Sequence, residues 1–358
     1  MARDASPVRR DGSWPGTVVP RGGGCIDTGR RRGTARGNLA AIDLGTNNCR
    51  LLIARPEGDH FVIVDAFSRI VRLGEGLTAT GSLSDAAIDR TIAALSVCAD
   101  KLRRRRVSLA RSVATEACRQ AANGAAFVAR VREETGIMLD IISAREEARL
   151  AVLGCQSLLE PGDGPALVFD IGGGSTELVL LEGHAGTLRI VDWLSAPFGV
   201  VSLAEAAAGH NDGPTERAAA YADMLGRMRE AFAGFAQRLP RGAGLRLLGT
   251  SGTVTTLASV HLGLARYDRQ AVDGLIVPAN AMRGIARRLS GMSMAERVRL
   301  PCIGDERADL VVAGCAILEA IMDIWPAERL GVADRGIREG ILRALLDAAA
   351  NRQLGMAC

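Results

Sequence analysis

The chain has 358 residues, is 48% hydrophobic and 23% charged, and contains no apolar run near the ~18 residues that a membrane span needs. Its eight cysteines form no CxxC pair and its four histidines show no metal-ligand spacing, which argues against a zinc or disulfide framework and for free thiols in a reducing cytoplasm. Lys101 is the only lysine and no Gly-Lys-Ser/Thr accompanies it, so P-loop and Schiff-base chemistry are set aside and phosphate chemistry must rest on arginine, backbone N–H and metal.

The net charge of +4 is local. Residues 1–37 hold eight Arg against three Asp, +5, which leaves −1 for the body, so no nucleic-acid partner is expected. That Arg/Gly/Pro-rich stretch lacks periodicity and an apolar signal region, and reads as a disordered basic tail. Leu39 to Ala54 then predicts strand, turn, strand, with Asp43 at the first strand's end and Gly45-Thr46-Asn47 in the turn. A strand over Phe61 to Phe67 and a loop from Ser68 to Thr80 follow. Ser82-Leu83-Ser84-Asp85 starts a helix that runs through Ile88, Ile92, Leu95 and Leu102 and closes on Arg103 to Arg106, cations suited to a helix C-terminus.

Val107 to Ala114 predicts a strand whose end, Thr115, can cap a helix that projects Arg119. Met138 to Ile142 is the next strand. Ser143 and Glu146 fit a capping box, which would occupy Glu146 and leave Glu147, about 100° further round the helix, free to face a cleft. Glu160 to Pro165 is the strongest breaker cluster, and the domain junction is placed near it, dividing 38–150 from 151–358.

Leu167 to Leu181 repeats the first pattern: an apolar strand ending in Asp170, Gly172-Gly173-Gly174-Ser175-Thr176, Glu177 and a second strand. Glycines permit positive φ and let N–H groups converge on an anion, and Asp170 at the strand end can hold a metal that bridges phosphate oxygens. Further on come a strand over Leu188 to Leu194, a helix from about Glu216 to Gln237, and a strand over Leu245 to Leu248. That strand feeds Gly249-Thr250-Ser251-Gly252-Thr253, a turn opening a helix whose N-terminus suits an anion. Helices over 278–297 and 308–324, a strand over Leu330 to Ala333 and a closing helix near 338–352 complete the chain. Hairpin strands followed by helices, twice over, predict an α/β fold of two similar lobes.

From residue 39 to residue 345 the chain resembles the exopolyphosphatase/guanosine pentaphosphate phosphatase family, a branch of the superfamily of acetate and sugar kinases, heat-shock chaperone ATPases and actin. The resemblance rests on Asp43-Leu44-Gly45-Thr46-Asn47 with Arg50, Ala114-Thr115-Glu116-Ala117 with Arg119, Glu146-Glu147-Ala148-Arg149-Leu150, Asp170 to Glu177, Gly249 to Thr253, Arg307-Ala308-Asp309 and Arg338-Glu339-Gly340. It implies two ribonuclease-H-like (actin-like ATPase) lobes around a cleft, the closing helix packing on the first lobe. It also implies release of orthophosphate from inorganic polyphosphate or from pppGpp, with Mg2+, by a cytoplasmic homodimer.

On that reading Glu147 is the general base and Arg119 clamps a phosphate. Asp43, Asp170 and Glu177 hold Mg2+. Gly45, Thr46, Asn47, Gly172, Gly173, Gly174, Ser175, Thr176 and Gly252 bind substrate, while Asp309 and Arg338 are structural. Asn48 stands where the family's first loop has Ser, and the length matches the short form of the family. A kinase of the same superfamily and a non-catalytic polyphosphate or guanosine tetraphosphate-binding regulator are the rival readings.

Overall fold

In a computed structural model the described residues are Val19–Pro20, 37–162, 164–184, 187–207, 213–238, 244–305 and 307–355. Two sheets are present among them. The first holds β2 (Asn38–Leu44), β3 (Asn48–Glu57), β4 (His60–Ile70), β5 (Val107–Ala114) and β6 (Leu139–Ile141) in the order β4-β3-β2-β5-β6. The second holds β7 (Ala166–Ile171), β8 (Thr176–His184), β9 (Thr187–Ala196), β10 (Arg246–Thr250) and β12 (Arg329–Ala333) in the order β9-β8-β7-β10-β12. Both are an antiparallel meander continued by two parallel strands, the ribonuclease-H-like order, so the fold is one unit built twice. The second sheet adds β1 (Val19–Pro20) and β11 (Ile276–Pro278) at its edges. Of the tail expected to be disordered over 1–37, only Val19–Pro20 and Gly37 are described, and the first two are strand, pairing with Thr187 and Leu188.

Strand alternation sends apolar side chains to both faces of each sheet, and four cores result. The outer face of the first sheet, with Ala40, Ile42 and Leu51, buries Ile88 and Leu95 of the helix Asp85–Arg104 and Phe127 and Val131 of the helix Gly124–Thr135. Its inner face, with Leu39, Ala41 and Leu52, is covered by Leu150 and Ala151 of the helix Ala144–Cys155 and by Ile341, Leu342 and Leu346 of the helix Ile337–Gly355. The opposite stripe of Ala144–Cys155, Ala148, Val152 and Cys155, packs on Ala166, Val168 and Val179 of the second sheet. Its outer face carries the helices Pro214–Ala236, Gly252–His261, Ala279–Gly291 and Val311–Ile324.

The two helices between the sheets touch at glycines. A Cβ on Gly154 would lie 1.9 Å from the Gly336 carbonyl oxygen, and one on Gly340 would lie 2.0 Å from that of Leu150. No side chain fits there.

Several elements depart from expectation. The helix over 278–297 is broken by Met292-Ser293 into Ala279–Gly291 and Met294–Val298, because Ser293 and Glu296 form a full capping box that starts a new helix. The helices Gly124–Thr135 and Val200–Ala206 and the strand β11 were not foreseen. Gly124 and Gly199 sit at or just before the starts of the two helices, where a sequence reading sees breakers; each is there for close approach, to the Cys118 carbonyl and to Gly173.

Candidate active site

The inner faces of the two sheets meet at a cleft. Alternation along β2 places Asp43 on the same face as Leu39 and Ala41, and along β7 places Asp170 with Ala166 and Val168, so both acids point to the space between the lobes. Across each hairpin the register is the same: Asp43 opposes Arg50 and Asp170 opposes Glu177. Each turn is closed by the same bond, Gly45 N–H to the Asn48 carbonyl at 2.9 Å and Gly172 N–H to the Ser175 carbonyl at 3.0 Å.

The carbonyls of both turns are held from behind. Thr46 O accepts from Gly74 N, Asn47 O from Val71 N and Arg72 N, Gly172 O from Val200 N, and Gly173 O from Val201 N. The N–H groups of Thr46, Asn47, Gly173 and Gly174 have no acceptor among the described residues, which is the arrangement of an anion nest. No glycine of either turn has a positive φ. The expected reason for them is replaced by another: Cβ atoms on Gly173 and Gly174 would meet Asn47 N at 3.1 Å and Thr46 Oγ1 at 2.6 Å, so the turns touch across the cleft. The positive φ lies at Ser251 instead (φ 86°, ψ −178°), just before the helix Gly252–His261, in a region that only glycine adopts freely. Ser251 is fixed there by its hydroxyl, which donates to Ile171 O at 2.6 Å.

Glu147 lines the cleft as expected, though for a different reason. Ser143 caps the helix by accepting from Glu146 N at 3.2 Å, but the Glu146 carboxylate turns to Arg111 (2.9 Å) and Arg149 (2.7 Å) rather than back to Ser143. Glu147 is buried; its Oε2 accepts from Arg119 Nη1 at 2.7 Å, and Oε1 has no partner among the described residues. Thr115 precedes its helix without a side-chain capping bond.

Two of the residues expected at the substrate have their side chains engaged within the protein. The Arg119 guanidinium is held by Glu147, by Glu116 (Nε at 2.9 Å) and by Ile142 O (2.8 Å), behind two carboxylates that themselves line the cleft. Thr176 lies on the opposite face of β8 from Glu177, fully buried, with its hydroxyl donated to Phe198 O at 2.7 Å. In their place the cleft presents Arg50 and Arg338, neither of which has a hydrogen-bond or ion-pair partner among the described residues. Desolvation by burial, with Arg50 nearby, lowers the Arg338 pKa.

The acids are linked. Burial, opposed by Arg50 and Arg338, raises the Asp43 pKa. Burial and then the charge of Asp43 lift Asp170 to about 6, and burial and then Asp170 lift Glu177 to about 7, against hydroxyl donation from Ser175 (2.7 Å) and Ser195 (2.8 Å). Burial and Glu177 hold Glu147 well above the ordinary range. Such a cluster of carboxylates calls for a cation. Asn47 Oδ1, buried without a partner, adds an orphaned oxygen to the same cleft. No group of three acid, His or Cys side chains among the described residues is placed to cage an ion.

A sequence profile of the Ppx/GppA phosphatase family matches residues 52–349. The chain belongs to the Ppx/GppA phosphatase family. This Ppx/GppA protein is a phosphatase, and the family is metal-dependent. It is 33% identical over 320 residues to exopolyphosphatase 2 of Mycobacterium tuberculosis, covering 86% of this chain and 98% of that protein. The crystal structure of the Aquifex aeolicus family member matches with a TM-score of 0.72 at 28% identity, covering 87% of this chain and 98% of that one. An exopolyphosphatase from Cytophaga hutchinsonii, at 24% identity and a TM-score of 0.77 over 87% and 98% of the two chains, has the same fold. No helix among the described residues is long and apolar enough to cross a membrane.

Proposed function

We propose that this phosphatase is an exopolyphosphatase that cleaves the terminal anhydride of inorganic polyphosphate by attack of water. The observation that carries this reading is Glu147: anchored through Oε2 by Arg119 and open at Oε1, it sits where the two phosphate-binding turns face each other. The N–H groups of Thr46, Asn47, Gly173 and Gly174 and the exposed start of Gly252–His261 take the terminal phosphate oxygens, and Arg50 and Arg338 neutralise them. Glu147 Oε1 accepts the proton of the attacking water as the new P–O bond forms and the bridging P–O bond breaks, leaving the shortened chain as a phosphate terminus. Arg119 fixes the orientation of that carboxylate. Asp43, Asp170, Glu177 and Asn47 Oδ1 would hold Mg2+, which when bound supplies charge neutralisation at the phosphate oxygens. Residues 38–150 with the helix around 338–352 form the first lobe in this scheme and the rest of 151–358 the second. The family resemblance supports pppGpp as a second substrate, a cytoplasmic location and a homodimer.

The test is phosphate release from long-chain polyphosphate, tripolyphosphate and pppGpp with MgCl2 and no acceptor. Release from both polyphosphates is expected. If phosphate leaves ATP only when a sugar or acetate is added, the kinase reading replaces this one.

The carboxylate pKa values give a second expectation that does not depend on turnover. With Asp170 near 6 and Glu177 near 7, above ordinary carboxylates at about 4, the metal-free folded protein binds more protons than the unfolded chain between those values. Its stability is therefore greatest below pH ~4 for these two groups and declines as pH rises through 7, by about 3 kcal/mol between pH 5.5 and 8. EDTA-treated protein should melt about 4 °C lower at pH 8 than at pH 5.5, and Mg2+ at pH 8 should recover the difference. A melting temperature indifferent to Mg2+ at pH 8 would remove these acids from the cation's role.

A further inference from the structure

The loop after β4 crosses from the first lobe to the second. Val71, Leu73 and Leu77 belong to the first lobe's outer core. From this loop Arg72 Nη1 reaches Asp309 Oδ2 at 2.9 Å, and Gly76 N–H donates to Glu205 Oε1 at 2.9 Å. Asp309 lies between Ala308 and Val311 of the second lobe's core, and Glu205 is in the helix Val200–Ala206, whose Leu203 is in the same core. These bonds therefore join the lobes at the side chain and backbone of one short loop.

The same loop carries the first phosphate turn on its back. Val71 N–H and Arg72 N–H both donate to Asn47 O, at 2.9 and 3.0 Å, and Gly74 N–H donates to Thr46 O at 2.9 Å. A Cβ on Gly74 would lie 2.3 Å from Thr46 Cγ2. Arg72 itself has φ 47°, a left-handed conformation that glycine or asparagine would adopt at less cost. Asp309 gives the complement: Arg72 is its one ion-pair partner among the described residues, and its other oxygen, Oδ1, is buried without any partner.

We propose that Arg72 is a positioning residue: by pairing with Asp309 it latches the two lobes and sets the Thr46-Asn47 turn against the Gly173-Gly174 turn, so that the substrate meets a preassembled pair of phosphate turns. This rests on the exopolyphosphatase reading for its substrate, though not for its geometry. Breaking the latch makes closure a cost of binding; KM rises by the factor by which the closed population falls, while saturating substrate still restores kcat.

The experiment compares wild type, Arg72→Glu and the charge exchange Arg72→Glu/Asp309→Arg, by phosphate release from tripolyphosphate with Mg2+ and by the radius of gyration of the free protein from X-ray scattering. Arg72→Glu should raise KM ~10-fold with kcat within about twofold of wild type, and should enlarge the radius of gyration. The exchange should return both to wild-type values. Unchanged KM and radius in Arg72→Glu overturn the latch. So does a raised KM that the exchange fails to rescue, since Arg72 would then touch the substrate itself. If wild type releases no phosphate from any polyphosphate, the proposed activity falls, and scattering alone decides the latch: expansion reversed by the exchange upholds it, and equal radii overturn it.

Discussion

Glu147→Gln is expected to lower kcat for phosphate release by ~10²–10⁴-fold while leaving KM within about threefold. The amide matches the carboxylate in shape and can still accept the Arg119 hydrogen bond through its oxygen, so the turns that hold substrate stay in place. What is lost is the ability of the second oxygen to take a proton from water. Because burial and Glu177 hold the Glu147 carboxyl above the ordinary glutamate range, the acid limb of the wild-type rate profile should also lie above that range, and it should be absent from the residual rate of the variant. A variant with unaltered kcat would mean that some other group activates the nucleophile.

Arg338→Met is expected to act in opposite directions on binding and on stability. The wild-type guanidinium is desolvated and has no hydrogen-bond or ion-pair partner among the described residues, and burial with Arg50 nearby lowers its pKa. Glu339, Asp43 and Asp334 attract this charge but burial outweighs them, so an apolar replacement of similar length should raise the melting temperature by about 2–4 °C. The same change removes a charge-assisted contact to phosphate and should raise KM by ~10²-fold. Calorimetric melting and phosphate release on one preparation check both. If Arg338 instead serves lobe packing, as its place in the sequence first suggests, the melting temperature falls and KM stays where it was.

Much of the fold is legible in the sequence because hairpins ending in Asp43 and Asp170 carry period-two apolar patterns on both sides of a turn, and such patterns have few alternatives. The helix at 124–135 was harder to foresee, since it follows Ala-Ala-Asn-Gly, which reads as loop, and its burial comes chiefly from Phe127 and Val131. Within the site, Asp43, Glu147, Asp170 and Glu177 are picked out by their position in a motif, and the fold brings them to one cleft. The roles of the arginines are not picked out in this way. Arg119 and Arg50 look alike in sequence, and what separates them is that Glu116 and Glu147 bind the first, whereas the second has no hydrogen-bond or ion-pair partner among the described residues. The triple glycine was likewise ambiguous: sequence suggests backbone freedom, whereas the cause is the opposite turn within contact distance.

The two hairpins share one backbone plan but differ in the sign of charge at the equivalent position, Arg50 against Asp43 and Glu177 against Asp170. Two identical hairpins facing each other would give a bound phosphate the same surroundings from either lobe. Inverting the charge in one copy breaks that symmetry. The cleft acquires one wall that carries a cation beside its strand-end acid and one that carries a second acid, so its two halves offer a bound ion different surroundings. A single substituted strand position thus converts a duplicated fold into a site with polarity.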